Sequence, residues 1–499
     1  MKENAWSKLG AYLKETQILG SIQNTLYWDQ NTAMPKKGAS WRADQLTYLA
    51  RTLHERSTSK KFAELIFSAE EELKGLEDMD KNTIKSKKKN IELLNKEINK
   101  QRKIDPGLVV HLARAKSKGY ESWQQAKEES EYSIFLPFFK ELIQLRIEEA
   151  NQISKEQTPW ETLAQPYEPD ISKELLSKIF NPIKDNIPMM LENIKEVKKV
   201  EWDLNQNTQK YLSEKLLDLF GRDKNLVAVA ESPHPFSITL GPKDFRITTR
   251  IVKGEPFSSL LATAHEWGHS IYEQGLPSET HQWFAWPLGQ ATSMGVHESQ
   301  SLFWENRIVK SKAFSESFFK YFLENGCPFV NSDDLWKSMN VFKAGLNRVE
   351  ADELTYGLHI LIRTELEIEL IEGNLDPKDL PFEWNKMYKE LLGIAPPNDK
   401  VGCLQDVHWS EGAFGYFPSY LIGHLVSAQI TNKLEEDIGS IDNLIKNKSY
   451  QNIKYWLKEN VHKYGRSMNA MELVKEVTNS EISPKFFIAY LKNKINSLK

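Results

Sequence analysis

Cysteine is scarce: Cys327 and Cys403 are the only two in 499 residues. That excludes a disulfide framework and points to a reducing compartment, so the expected location is the cytoplasm. Long apolar runs are missing too. No stretch approaches the roughly 20 apolar residues of a membrane-spanning helix, and no membrane partner is expected. Lys2, Glu3, Lys8, Lys14 and Glu15 interrupt the first turns, so no secretory leader is expected either. Excess charge of one sign is also lacking. The 65 basic and 69 acidic side chains leave a net charge of −4, which gives no electrostatic case for nucleic acid. The chain has no internal repeat, no low-complexity tract and no convincing linker. One folded unit over 1–499 is expected, with a helical lobe over about 1–165 that is not an independent domain.

What the sequence does have is helical periodicity and aromatic bulk, including 14 tryptophans, 23 phenylalanines and 17 tyrosines. The 3.6-residue pattern runs from about Ala5 to Leu73 and breaks at Met34-Pro35-Lys-Lys-Gly38. A charged segment follows from Glu70 to Lys103. Its run Lys85-Ser-Lys-Lys-Lys89 reads as a solvated helix face rather than a polyanion site, because acidic residues flank it. Further helices are expected over 108–129, 133–151, 172–220, 332–345, 347–372 and 382–393, and from about 421 to the end. The one β signal is Phe236–Leu240 and Phe245–Val252, β-branched and partly alternating around Gly241-Pro-Lys-Asp244. The expected fold is therefore mainly α, with a small antiparallel sheet. Edge strands of that kind can take up an extended peptide by strand addition. The segment Asp406–Tyr420, rich in glycine and aromatics, is too irregular for a plain helix.

The chemistry concentrates in Ser258-Ser-Leu-Leu-Ala-Thr-Ala-His265-Glu266-Trp267-Gly268-His269-Ser-Ile-Tyr-Glu-Gln-Gly275, immediately after the hairpin. Apolar or small residues at Leu260, Leu261, Ala264, Trp267, Gly268, Ile271 and Tyr272 mark a mostly buried helix. Pro256 with Ser258 or Ser259 marks its start, and Gly275 with Pro277 its end. Residues four apart share a helix face, so the imidazoles of His265 and His269 can reach one metal ion. Glu266 lies beside His265, placed to act as a general base. The alternative is a core helix whose two histidines only make hydrogen bonds. It would bury two imidazoles and a carboxylate without a counter-ion, which is costly.

A catalytic zinc site usually has three protein ligands and one open position. The third is sought in Ser293-Met-Gly-Val-His297-Glu298-Ser299-Gln300-Ser301, a loop and a return helix further on. Spacing alone does not choose between Glu298 and His297. Glu305, two turns beyond Glu298, reads either as support for a ligand or as a solvated acid.

His-Glu-x-x-His followed by His-Glu-Ser-Gln resembles the carboxypeptidase Taq family of zinc metallocarboxypeptidases. Other segments match in the family's order: His234-Pro235-Phe236, Asp244-Phe-Arg246-Ile-Thr248, Arg348-Val-Glu-Ala-Asp352-Glu353 and His408-Trp-Ser-x-Gly-x-x-Gly415-Tyr-Phe-Pro418-Ser-Tyr420. Tyr27-Trp28-Asp29 with Met34-Pro35 extends the likeness to the N-terminal region. The resemblance implies Glu298 as third ligand, a large helical fold with a deep active-site groove walled partly by the N-terminal lobe, and a homodimer. The implied activity is release of single residues from peptide C-termini. Zinc is the expected metal, with cobalt or manganese as possible replacements.

An exopeptidase must also bind the terminal carboxylate, a task suited to arginine's planar fork. Arg348 is the first candidate and Arg246 the second. Glu350, Asp352 or Asp244 are the acids that would instead hold them as structural pairs. Tyr420 or His408 is the expected donor to the oxyanion, and His234 is either a turn residue or a substrate contact. Two other functions remain: an oligoendopeptidase or dipeptidyl carboxypeptidase with the same zinc chemistry, and a non-catalytic peptide-binding protein with structural zinc.

Overall fold

The Asn4 side chain accepts the Ser7 N–H and starts the first helix, Ala5–Thr32, in the computed structural model, which describes residues 4–74, 80–194, 202–277 and 283–499. Pro35 ends that run as expected, and a short 3₁₀ turn, Lys36–Gly38, leads into Ala39–Thr58 and Lys60–Lys74. Asp80 caps Lys81–Lys103, and Asp105 caps Pro106–Glu129 with proline in the first turn, where its missing N–H costs nothing. The lysine run lies on the first of these, where Lys89 pairs with Glu92 and the Lys87 ammonium sits 4.8 Å from the Trp6 ring. Part of the expected helical stretch 172–220, residues 195–201, lies outside the described residues; Lys173–Glu192 and Gln206–Leu219 are its helices.

The helices up to Lys103 bury a small core of their own, with Leu9, Leu13, Phe62, Ile66, Leu94 and Ile98 inside. The main body contributes Trp286, whose ring stacks on Trp6 at 4.1 Å and 9°, with Trp283 and Ala285 packed against the same core. The main core is far larger and fully buries Trp160, Trp267, Trp304 and Trp384.

The expected hairpin is present, but the sheet has a third strand. Strands β1 (Val227–Glu231), β2 (Ser237–Gly241) and β3 (Asp244–Thr249) lie in the order β1-β3-β2. β2 pairs antiparallel with β3, whereas β1 runs parallel to it, so the sheet is mixed rather than antiparallel. β3 stops at Thr249, short of Val252, whose N–H turns to the Ser258 hydroxyl. Along the outer edge of β2, Asn24 donates to the Thr239 carbonyl and Ser21 to that of Leu240. The first helix thus holds the hairpin end of β2, while Ser237, Ile238 and Thr239 line a cavity of about 310 Å³.

Two later helices are shorter than their periodicity suggests. Ser332–Met339 and Tyr356–Ile371 are helical, and 340–355 between them is irregular apart from a 3₁₀ turn at Arg348–Glu350. The cause is Asp352, whose carboxylate accepts the N–H groups of Lys343, Leu354 and Thr355 and holds the chain out of helix. The Asp406–Tyr420 segment is irregular as expected: Gly412 and Gly415 take φ of 68° and 85° before Pro418 opens the helix Pro418–Ile438. No helix among the described residues is long and apolar enough to cross a membrane.

Candidate metal centre

The motif helix spans Ser258–Gly275. Its serines do not cap it; Phe257 holds the cap position without a side-chain bond. Ser259 instead bonds Ser213 and Thr249, and Thr263 bonds Thr249, so the helix is tied to the end of β3. A second helix, Met294–Leu302, starts at the Ser293 cap and crosses the first. Their closest approach explains one letter of the motif. A Cβ at Gly268 would lie 2.4 Å from the Gln300 carbonyl oxygen and 2.5 Å from the Ser301 Cα. Only glycine lets the two backbones meet there. A further notch lies at Gly423, where a Cβ would stand 2.8 Å from the Glu298 Cγ.

This crossing brings His265, His269 and Glu298 together, with one ligand atom from each within 4.8 Å of the others. Glu298 Oε2 lies 3.6 Å from His265 Nε2 and 3.5 Å from His269 Nε2. The other ring nitrogens are occupied. His265 Nδ1 meets Glu305 Oε2 at 2.9 Å, and His269 Nδ1 meets the His297 carbonyl at 3.2 Å. Both Nε2 atoms therefore face inward, the arrangement that orients histidine ligands. His297 turns the other way: its Nε2 lies 3.0 Å from Glu273 Oε1, and its ring stacks on His269 at 4.4 Å. Glu305 is no solvated acid, since its second oxygen pairs with Lys310 at 2.8 Å.

The electrostatics call for a cation. Burial alone lowers the His265 pKa, but Glu298 and Glu305 outweigh it and push it up to about 10. Glu266 is 6% exposed, and its Oε2 has no hydrogen-bond partner among the described residues. Burial pushes its pKa up to about 7. Two imidazoles held by their outer nitrogens, with a carboxylate oxygen converging on their Nε2 atoms, fit a divalent metal.

The remaining expected residues fall into three places. Arg348 is buried and is not free. Its Nε and Nη2 reach Asp406 Oδ1, both at 2.8 Å, and Nη1 reaches the Tyr356 hydroxyl at 3.0 Å. Arg363 holds the other Asp406 oxygen at 2.6 Å. Against its burial, these two arginines hold the Asp406 carboxyl well below the usual range. Tyr420 stacks near the same guanidinium, 5.3 Å from its ring centre. His408 packs on Phe417 at 4.6 Å, and burial lowers its pKa to about 4, so it is neutral. Arg246 sits on β3 in a two-pronged pair with Asp244, 2.9 Å on both arms. His234 is exposed at the rim of a groove of about 1020 Å³ along the start of the motif helix, which Arg250 and Leu261 also line. Sequence reasoning missed Asp406 as the partner of Arg348, and also Tyr356, Arg250 and the buried Glu168. Glu168 Oε1 accepts the Gly295 N–H at 2.5 Å in the first turn of the Glu298 helix. Asp406 stood within a quoted segment; nothing local marked the others.

A helical chain in which His-Glu-x-x-His is completed by a glutamate from a second helix is a metallopeptidase by site and by fold. The chain belongs to the carboxypeptidase Taq (M32) metallopeptidase family, whose pattern matches residues 8–495. Thermostable carboxypeptidase 1 of Thermus thermophilus is 34% identical over 99% of both chains. Carboxypeptidase 1 of Bacillus subtilis is 33% identical over 95% of this chain and 94% of its own. Among solved structures, the M32 carboxypeptidase of Deinococcus radiodurans superposes with a TM-score of 0.92 at 28% identity, covering 99% of each chain. Metallocarboxypeptidase 1 of Trypanosoma cruzi gives 0.92 at 29% identity, with 98% and 99% covered. The protein is a metallocarboxypeptidase, a hydrolase of peptides.

Proposed function

We propose that this enzyme uses zinc to release single amino acids from peptide C-termini, with Glu266 as general base. One observation carries the reading: a buried carboxylate oxygen without a partner, on Glu266, beside three converging ligand atoms. His265, His269 and Glu298 hold the metal. When bound, zinc supplies Lewis acidity toward a water and toward the scissile carbonyl. Glu266 Oε2 takes the proton of the attacking water and passes it to the leaving nitrogen. Tyr420 or His408 donates to the developing oxyanion; His408, neutral, can do so from one ring nitrogen. Cobalt or manganese can stand in the same donor set.

Arg348 anchors the terminal carboxylate. It spends three of its five N–H groups on Asp406 and Tyr356, which fixes its plane and leaves two for substrate. Arg246 and His234 contribute further out along the groove. The chain works as one catalytic unit over 1–499 with the lobe as a groove wall. The shortage of cysteine supports a cytoplasmic home, and the family resemblance supports a homodimer.

The test uses one peptide with a free or an amidated C-terminus. Amidation removes the partner of a buried charge, which costs on the order of 2–5 kcal/mol, or roughly 30- to several-thousand-fold in rate. The free acid should be shortened one residue at a time, and Arg348→Ala should largely erase the preference. Internal fragments, or equal cleavage of acid and amide, would move the enzyme to the oligoendopeptidase or dipeptidyl carboxypeptidase alternative. Hydrolysis of neither would leave the non-catalytic peptide-binding reading.

A further inference from the structure

The Glu298 helix does not end at Leu302. It continues into a π-helical turn, Phe303–Val309, the wider winding that proteins often keep at working sites. Glu305, Asn306 and Arg307 lie on this turn. Glu305 reaches His265, as described above. The wide winding has a local cost. The Lys310 N–H bonds the Glu305 carbonyl at 2.9 Å, and the Ser311 N–H bonds that of Ile308 at 3.2 Å. Neither reaches the Asn306 carbonyl, which a regular α-helix would satisfy from Lys310. Its partner comes from the far end of the chain. The Tyr490 hydroxyl, on the C-terminal helix Lys485–Leu498, lies 3.2 Å from the Asn306 carbonyl oxygen and 3.2 Å from Glu353 Oε2, so these two acceptors share its one proton.

Tyr490 is itself held in a buried charged cluster. Lys494 donates to the Tyr490 oxygen at 2.9 Å and to Glu353 Oε2 at 2.7 Å. The Arg307 guanidinium lies 3.3 Å from the centre of the Tyr490 ring and 3.7 Å from Glu353 Oε1. Lys494, Glu353 and Arg307 are 7%, 6% and 4% exposed. Burying three charges is expensive, and hydrophobic side chains of similar volume would serve stability as well or better. The peptidase chemistry touches none of them.

We infer that Tyr490 and Lys494 are positioning residues for the metal centre. By satisfying the carbonyl that the π turn frees, they favour the wide register over the α register, and the wide register aims Glu305 at His265 Nδ1. Returning the turn to α winding rotates Glu305 by about 100° about the helix axis, one residue's worth. His265 then loses the contact that sets its tautomer and orientation. The inference rests on the assignment of His265, His269 and Glu298 as metal ligands.

The experiment measures the zinc dissociation constant of the full chain by competition with a chelator, alongside the melting temperature of the metal-free protein. Loss of a direct outer partner of a metal-bound histidine weakens binding by about 10–100-fold, the expectation for Glu305→Gln. One step further out, Tyr490→Phe should weaken zinc by about 3- to 10-fold with little change in melting, and Lys494→Met by about 10-fold. Leu491→Ala, on the same helix but in the apolar core, should lower the melting temperature and leave zinc affinity alone. Should Lys494→Met fail to fold, Tyr490→Phe decides by itself. Zinc affinity within twofold of wild type in Tyr490→Phe overturns the inference, as does an equal loss in Leu491→Ala. If Glu298→Ala binds zinc as well as wild type, the ligand assignment has failed instead.

Discussion

The metal centre and the N-terminal lobe are built from the same material, long amphipathic helices, and are specified in opposite ways. At the centre, two helices touch backbone to backbone at Gly268, and the outer nitrogen of each ligand histidine has a named partner. In the lobe, a thin core is enough and large side chains stay in water: Trp41 is 71% exposed and Tyr48 60%. The lobe meets the body through the Trp6–Trp286 stack, ring contacts of Tyr27 and Trp28 with Phe236, side-chain bonds of Ser21 and Asn24 to β2, the Leu288 N–H on Asn90 and the Arg466–Glu97 ion pair. One region depends on individual atoms and the other on bulk hydrophobicity. Substitutions should expose that difference.

The largest effect belongs to Glu266→Gln. The amide fills the same space but cannot accept the water's proton, so kcat should fall by roughly 10²–10⁴-fold while bound zinc stays stoichiometric. Activity within a few-fold of wild type would remove Glu266 from the mechanism. Next comes Trp286→Ala, which deletes the one fully packed tryptophan that the body places in the lobe core. A buried tryptophan cut to alanine costs about 3–5 kcal/mol. Calorimetry should show a separate, earlier transition for the lobe with zinc still bound; a single unshifted transition would mean the lobe does not depend on that stack.

The same substitution in both regions gives the sharpest contrast. Gly268→Ala drives a methyl into the Gln300 carbonyl, so the helices must part, at a cost of about 1–3 kcal/mol and with loss of zinc as Glu298 moves away. Gly20→Ala, within the first helix and with nothing within 4 Å of the new methyl, should stabilise the lobe by about 0.5–1 kcal/mol. Chemical denaturation of the two variants should therefore shift in opposite directions. Shifts of the same sign would break the distinction.

This contrast also governs what could be read from sequence. His265, Glu266 and His269 were legible because helical spacing is itself geometry. Glu298 and His297 were not separable by spacing, since adjacent residues on one helix differ only in phase, and the phase is set where that helix crosses Gly268. Family resemblance supplied the choice. The pairing of Arg348 was illegible because its acid, Asp406, lies 58 residues away, whereas the pair of Arg246 with Asp244 spans two residues and stood as the alternative to substrate binding. Glu305 could not be aimed without the π turn, which no periodicity announces. In the lobe the helices and the break at Pro35 were plain. β1 was missed because five residues of alanine, valine and glutamate carry little β signal by themselves.

The contacts of Ser21 and Asn24 with β2 have a consequence for the behaviour of the protein in a crowded solution. An exposed strand edge is a template on which any extended chain, including another copy of this one, can add. Natural sheets blunt such edges with charge, proline or a covering element. Here the cover at the hairpin end is the first helix, where Asn24 takes the Thr239 carbonyl and Ser21 that of Leu240. The first helix therefore guards this end of the sheet against self-association. A fragment trimmed to the metal-binding body would not be a smaller enzyme but a sheet with an open seam, prone to assemble with itself.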